Sequence, residues 1–284
     1  MGRAAARAGW PTGRGCCYSA RMETAPPPPA PGWLVRLAGD DFDLRHWRRA
    51  VRPPHEPWCE RIERDAEVIW ALRSRDFDGS ETAAQVKELA SPFIGRLNGA
   101  MAMSARTGPV RFDAVGRVDD RGKVHLTVLL EAAATMRASA FATLAAEVRD
   151  ADGNLVPSPP PRPSAAQRWL ELAARDDVVA DMLVFAGRAD NWFDVYKTVE
   201  LAERLAKRRH GGKKVKGEEA LAALLGPSAK AFETMRRTAN HHRHAPNPAT
   251  KPKVLTTLEQ AKSLLSFIVT TVLTREMGGP SASG

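Results

Sequence analysis

The feature that most constrains the fold of this 284-residue chain is a Pro-rich segment near its middle, residues 157–163. Proline fixes φ and has no amide hydrogen, so such a run stays extended and cannot continue a helix or a central strand. A second Pro-rich run, residues 26–31, lies near the N-terminus. We therefore expect a disordered leader and Pro-rich spacer over 1–31, a small domain over 32–150, a linker over 151–163, a second domain over 164–277 and a disordered tail over 278–284.

The leader is positively charged but lacks the pattern of a secretory signal. Residues 1–21 contain four arginines, no acidic residue and no apolar stretch in their middle. Met22 is an alternative start, and a transit-type targeting peptide is an alternative interpretation. No run of eighteen apolar residues occurs, and the three cysteines form neither a disulfide framework nor a CxxC pair (Cys16, Cys17 and Cys59). We therefore expect a cytoplasmic protein that does not span a membrane.

Short apolar runs predict a sheet in the first domain. Trp, Val and Leu alternate with Arg over residues 33–37, and residues 67–73 are a second strand candidate. Residues 110–118 and 123–131 are apolar-rich and are joined by a polar turn, which indicates a hairpin. Residues 136–148 favour a further strand, with a helix as the alternative. The first domain is therefore predicted to be of the α+β class.

Two helices complete this predicted domain. Asp43 is expected to cap a short helix over residues 44–51, which the prolines that follow would end. Residues 80–104 carry apolar side chains at helical spacing, with Ser80 or Thr82 as the cap. Pro92 lies inside this second helix and is expected to kink it or split it in two.

The second domain is predicted to be an all-α bundle of four or five helices. Capping boxes at Ser164–Gln167 and Thr257–Gln260 mark the start of the first and last helices. The first helix would carry its apolar face through Phe185 and end at Gly187, and the next would be capped by Asp190 or Asn191. A short helix over about 218–225 and another from Pro227 to about Asn240 complete the bundle.

Positive charge is concentrated in this helical domain. Of the net charge of +9, residues 22–162 contribute −1 and residues 163–284 contribute +6. Residues 204–253 contain thirteen basic and three acidic side chains, together with four of the seven histidines. Such a density of positive charge is typical of surfaces that bind a polyanion such as nucleic acid, and a solvated basic loop is the alternative.

One short segment combines this charge with groups that can transfer protons. Residues 236–244 read Arg-Arg-Thr-Ala-Asn-His-His-Arg-His and lie where a predicted helix ends. Arginine can hold a phosphate with two parallel hydrogen bonds, and histidine exchanges a proton near neutral pH. These groups suffice for metal-independent cleavage of RNA, in which the 2′-hydroxyl attacks its own phosphate.

The helical plan, with an Arg followed after four to six residues by His at the end of the third helix, resembles the HEPN superfamily. The matching residues are Arg237 with His242 or His244, and Arg236 with His241 or His242. In the family the residue after the Arg is commonly Asn, whereas here it is Arg237 or Thr238. The resemblance implies a metal-independent ribonuclease of toxin or phage-defence type that acts as a dimer, and some members of the family only bind.

On this resemblance Arg237, His242 and His244 are the expected catalytic residues. The expected RNA-binding residues are Arg236, Asn240, His241, Arg243, Lys213 and Lys214. We expect no cofactor and no metal. Alternatives that stay open for the three histidines are a zinc cluster and surface positions without a role, and Asn240, Arg243 and His244 could instead cap the helix.

Two other clusters have simpler explanations. Asp40, Asp41 and Asp43 could bind a cation but are better explained as a turn and an N-cap. Aromatic residues at helical spacing are more often core than a platform for bases (Trp192, Phe193 and Tyr196). Signatures of P-loop, dinucleotide-binding, zincin and serine-hydrolase sites do not occur.

The sequence therefore predicts an RNA-cleaving or RNA-binding protein that forms a homodimer through its helical domain. The first domain would bind a signal or a protein partner. The alternatives are a non-catalytic helical interaction or dimerisation module and a basic DNA-binding protein, although no helix-turn-helix is evident.

Overall fold

A computed structural model describes residues 30–64, 67–128, 162–209, 215–243 and 252–278. The chain forms a five-stranded antiparallel sheet with helices, followed by an all-helical region, so the predicted fold class is confirmed. The strands are β1 (Gly32–Ala38), β2 (Trp58–Arg64), β3 (Glu67–Arg73), β4 (Arg111–Val118) and β5 (Val124–Val128). The helices are α1 (Asp41–Ala50), α2 (Ala83–Ala105), α3 (Ala165–Ala173), α4 (Asp177–Gly187), α5 (Trp192–Arg209), α6 (Gly217–Leu225), α7 (Ala229–Arg243) and α8 (Leu258–Gly278).

The sheet has the order β2-β3-β1-β4-β5, with β1 at its centre. Strands β1 and β3 and the hairpin β4–β5 were predicted and are confirmed. The hairpin turn is held by the Asp119 carboxylate, which accepts hydrogen bonds from the amides of Arg121 and Lys123. Strand β2 was not predicted, because four of its seven residues are charged and its two buried apolar residues, Cys59 and Ile62, are three positions apart and give no alternation. The further strand predicted over 136–148 lies outside the described residues.

Helix α1 begins three residues earlier than predicted. Asp40, not Asp43, has the extended backbone of an N-cap, and its carboxylate accepts a hydrogen bond from the Phe42 amide. Asp43 lies inside the helix, is buried, and accepts a hydrogen bond from the Gly108 amide at 2.9 Å. The cap prediction for Asp43 was therefore wrong, and its carboxylate instead ties α1 to the loop after α2.

Helix α2 is continuous through Pro92. Its cap is Thr82, one of the two predicted alternatives, which forms a capping box with Gln85. Proline leaves the carbonyl four residues before it without a helical partner. Here that carbonyl belongs to Glu88, and both Glu88 and Pro92 are exposed, so water can satisfy the carbonyl and the helix is not split.

The first helix predicted in the second half of the chain is two helices. The capping box of Ser164 with Gln167 starts α3 as expected, but Asp176 then caps a separate helix, α4, by accepting a hydrogen bond from the Val178 amide. The predicted cap at Asn191 is confirmed, since its side chain accepts from the Asp194 amide. The capping box at Thr257 is also confirmed.

Helix α2 packs on the helical region as well as on the sheet. It contacts α3, α4 and α8, and its buried residues belong to one hydrophobic core that runs from β1 to α8. The closest approach is to α4, where a Cβ added at Gly99 would lie 1.8 Å from the carbonyl oxygen of Leu183. A Cβ on Gly187 would in turn lie 2.7 Å from the amide nitrogen of Gly99. The predicted boundary over 151–163 stays a prediction, because residues 151–161 lie outside the described ranges.

No helix in the described part of the chain combines the length and the apolar character needed to cross a lipid bilayer.

The α2–α4 contact gives a prediction about stability. We expect Gly99→Ala to lower the free energy of unfolding by about 3 kcal/mol, because the new methyl group collides with backbone that must shift. Gly95→Ala on the same helix is the matched control, since its nearest neighbour would be Val184 Cγ2 at 3.7 Å. That variant should gain up to about 1 kcal/mol from helix propensity. Urea unfolding of both variants measures the difference, and equal stabilities would contradict the packing.

Candidate nucleic-acid interface

The predicted Arg/His segment lies on the last two turns of α7. The helix continues to Arg243, about one turn beyond its predicted end, so residues 236–243 are all helical. Arg237, Asn240 and His242 are exposed, whereas Arg236 and His241 are half-buried. Three of the residues predicted for the site lie outside the described residues (Lys213, Lys214 and His244).

The two arginines at the start of this segment are engaged in ion pairs. Arg236 lies between Glu203 of α5 and Glu218 of α6, with its Nη2 2.5 Å from the Glu218 carboxylate. Arg237 pairs with Glu233 on its own helix, Nη2 to Oε1 at 2.5 Å. Part of the positive charge counted in residues 204–253 is therefore neutralised by neighbouring acids.

The Arg–His pairs with four or five residues between them do not share a face of α7. Residues on an α-helix turn by about 100° each, which puts Arg237 and His242 about 140° apart. By the same rule Arg236 lies about 140° from His241 and about 120° from His242. One copy of α7 therefore does not bring these Arg and His side chains to one point.

The histidines instead meet an aromatic side chain of α5. The His242 ring stacks on the Trp192 ring, with centroids 5.1 Å apart and planes 8° from parallel. The His241 ring meets the His242 ring at 5.4 Å in an edge-on arrangement. Two imidazoles therefore lie side by side at the end of α7, next to the first turn of α5.

Arg243 extends the same contact along α5. Its guanidinium carbon lies 3.9 Å from the centroid of the Tyr196 ring, and its Nη1 lies 3.9 Å from the Glu200 carboxylate. The guanidinium group of Arg243 therefore lies over the face of the Tyr196 ring, which is the usual packing of arginine on an aromatic side chain.

Phe193, also on α5, is the exposed aromatic residue of this group. It is 51% exposed and packs edge-on against Phe185 of α4, with centroids 6.5 Å apart. The Lys197 Nζ lies 6.0 Å from its centroid, and the Arg188 guanidinium lies 5.2 Å from that of Phe185. The core interpretation holds for Trp192 and Tyr196, which are partly buried against the core, and is wrong for Phe193.

Together these side chains form what we call the aromatic–basic surface: Phe185, Arg188, Trp192, Phe193, Tyr196, Lys197, His241, His242 and Arg243. Sequence reasoning missed Phe185, Arg188 and Lys197. The helical spacing of Phe193 and Lys197 was visible in the sequence, but the approach of α4 and α7 to this face of α5 was not.

The start of α5 holds this surface in place. The Asn191 side chain accepts from the Asp194 amide and donates to the Asp194 carboxylate at 2.7 Å. Asp194 is buried, and its Oδ1 lies 3.6 Å from the Arg188 guanidinium. The Thr198 hydroxyl donates to the Asp194 carbonyl. These hydrogen bonds, together with the contact between Asp194 and Arg188, hold the first turn of α5 in place.

Glu200 and Glu203 are the acids beneath the surface. Glu200 accepts from Lys197 at 2.7 Å, so it balances part of the positive charge. Burial raises the pKa of Glu203; Arg236 opposes this shift, and the carboxylates of Glu218 and Glu200 add to it. Burial likewise raises the pKa of Tyr196, which keeps its hydroxyl protonated and able to donate a hydrogen bond.

Neither the cluster of Asp40, Asp41 and Asp43 nor the histidines of α7 form a metal site in the described ranges. Within these ranges, no three His, Cys, Asp or Glu side chains lie close enough together to hold an ion. Asp40 caps α1, and Asp41 pairs with Arg45 one turn later. The turn and N-cap explanation of this cluster is confirmed for Asp40.

Comparisons of the chain with protein-family models, with curated proteins and with solved structures found no match.

The pKa of Glu203 gives a prediction about pH. A carboxyl whose pKa is raised by folding stabilises the fold below its ordinary pKa, and that contribution is lost as pH rises through the raised value. We therefore expect Glu203→Gln to raise the midpoint of thermal unfolding at pH 7. At about pH 3.5 the two midpoints should be equal, because the Glu203 carboxyl is then protonated and, like the glutamine amide, carries no charge.

Glu218→Gln is the control for this experiment. It removes the closer partner of Arg236 and should lower the midpoint at pH 7. A Glu203→Gln variant that is less stable than the wild type at pH 7 but equal to it in acid would show that the ion pair with Arg236 outweighs the cost of burial.

Proposed function

We propose that this protein binds single-stranded RNA through the aromatic–basic surface. The observation that carries the proposal is Phe193, a large aromatic side chain that is 51% exposed and borders Lys197. Phe193 packs against Phe185, and Lys197 and Arg188 lie beside the two rings. A patch of aromatic surface with cations at its rim favours a ligand with flat faces and negative charge.

Single-stranded nucleic acid has both properties. Its unpaired bases stack on aromatic rings at about 1–3 kcal/mol per base, and its phosphates are attracted by arginine and lysine. Phe193 offers an exposed ring, and the stacked pair of Trp192 and His242 offers a second flat face. Arg188, Lys197 and Arg243 are the cations around these rings, with Glu200 as a partial counter-charge.

RNA is favoured over duplex DNA for two reasons. Bases in a duplex are stacked on each other and present only their edges, so an aromatic platform has nothing to stack on. RNA, in contrast, commonly contains single-stranded loops whose bases are accessible. The resemblance of the α7 segment to HEPN ribonucleases also favours RNA as the ligand.

The same surface supports cleavage as an extension of the proposal. His241 and His242 lie side by side, so one imidazole can take the proton of a 2′-hydroxyl while the other protonates the leaving 5′-oxygen. The 2′-oxygen bonds to phosphorus, the bond to the 5′-oxygen breaks, and a 2′,3′-cyclic phosphate remains. Arg237 lies on another face of α7, so it would join these histidines only from a second copy of the chain, as in the expected homodimer.

The binding proposal is tested with a labelled single-stranded RNA and fluorescence anisotropy. We expect Phe193→Ala to weaken binding by about tenfold, since one stacked base is lost. Phe267→Ala is the matched control, because Phe267 is 45% exposed on α8 and is not part of the aromatic–basic surface. Equal affinities for the two variants, or tighter binding to duplex DNA than to RNA, would overturn the proposal.

The cleavage extension has its own test. The wild type is incubated with RNA in chelator, alongside His242→Ala and Arg237→Ala. We expect both variants to lose cleavage while His242→Ala keeps part of its affinity, and light scattering to show a dimer. Binding without any cleavage by the wild type would remove the extension and leave the binding proposal standing.

A further inference from the structure

A carboxylate lies among the cations of the aromatic–basic surface. Residues on an α-helix turn by about 100° each, so Phe193, Lys197 and Glu200 share one face of α5 within about 60° of arc. Glu200 lies about 10 Å along the helix axis from Phe193, because each residue advances the axis by about 1.5 Å. About three stacked nucleotides span this distance, since each advances a strand by about 3.4 Å. A strand that runs along α5 with a base on Phe193 therefore reaches Glu200.

Glu200 contacts two of the cations of this surface. Its Oε2 accepts a hydrogen bond from Lys197 Nζ at 2.7 Å, and its Oε1 lies 3.9 Å from Arg243 Nη1. The two cations come from α5 and α7, and each meets a different oxygen of the carboxylate. The carboxylate therefore occupies a position between basic side chains of the kind that a phosphate takes.

All three charged side chains are accessible to solvent. The side chain of Glu200 is 38% exposed, and those of Lys197 and Arg243 are 35% and 27% exposed. Ion pairs at this exposure contribute little to stability, because water screens them. A ligand can therefore replace the carboxylate without the cost of breaking a buried ion pair.

Glu203, the next acid along α5, lies in a different environment. Its side chain is 19% exposed, and its Oε1 lies 3.9 Å from Arg236 Nε. Burial of that carboxylate makes it less accessible to a ligand than Glu200. Among the described residues, Glu200 is the carboxylate that contacts both Lys197 and Arg243.

We propose that the Glu200 carboxylate occupies a phosphate-binding position, and that a phosphate of the bound single strand displaces it from Lys197 and Arg243. This inference rests on the proposed binding of single-stranded RNA and identifies where one phosphate of the strand binds. Glu200 thereby limits the affinity of the aromatic–basic surface, because a phosphate must compete with an anion that belongs to the protein.

The inference is tested by titrating the full chain with labelled single-stranded RNA at several salt concentrations. We expect Glu200→Gln to tighten binding by about threefold, because the competing charge is removed while the shape of the side chain is kept. The slope of log K against log salt should steepen by up to about 0.7, since one more cation of the protein neutralises a phosphate. Glu88→Gln is the matched control, because Glu88 is exposed on α2 and its loss changes the net charge equally. That variant should keep the affinity and the salt slope of the wild type.

A second variant separates competition from a structural role of the ion pair. Lys197→Met should weaken binding by a factor at least about twofold larger in the Glu200→Gln background, because Lys197 then meets the phosphate without a competitor. A Glu200→Gln variant that binds no more tightly than the wild type would overturn the inference, since breaking a merely structural ion pair gives no gain in affinity.

Failure of this inference is distinguishable from failure of the proposed function. A wild-type protein that does not bind single-stranded RNA would overturn both. Binding that Phe193→Ala weakens but Glu200→Gln leaves unchanged would overturn this inference alone.

Discussion

Helices α2 and α4 approach each other so closely that no side chain larger than hydrogen fits at Gly99, against the backbone of Leu183, or at Gly187. This contact joins the sheet to the helical region within one hydrophobic core. It also fixes the end of α4, from which the chain turns directly into α5. The aromatic–basic surface is built around that turn, because Phe185 lies in α4 beside it and Arg188 lies within it.

The number of basic residues in the helical region overstates the positive charge that a ligand can meet. Arg236 and Arg237 are both paired with carboxylates. The ion pairs of Arg236 join α7 to α5 and α6, whereas that of Arg237 lies within α7. The cations that lie over aromatic rings come from three places in the chain: Arg188 follows α4, Lys197 lies on α5 and Arg243 ends α7. Contact with a ligand therefore depends on how these helices pack, and aromatic area contributes as much as charge.

Contacts between residues close together in the sequence could be predicted, whereas contacts between residues far apart in the sequence could not. The two predicted capping boxes are present because each depends on residues three positions apart: Ser164–Gln167 and Thr257–Gln260. Thr82, one of two predicted caps of α2, forms a third such box with Gln85. Strand β2 was missed because four of its seven residues are charged and its apolar residues follow no alternating pattern. At the site, the helix end at Arg243 was predicted to within a turn, whereas the stacking of His242 on Trp192 joins two helices whose approach no local pattern encodes. The exposure of Phe193 was missed for the same reason.

The α2–α4 contact also has a consequence for the order in which the chain folds. Helical bundles usually fold fast because each helix packs on the next one in sequence. Here the widest face of α4 packs on α2, and the strands β4 and β5 and the Pro-rich segment come between them in the chain. A long loop must close before α4 meets α2, and that closure costs entropy. We therefore expect the contact of α4 with α2 to form after its local contacts with α3 and α5.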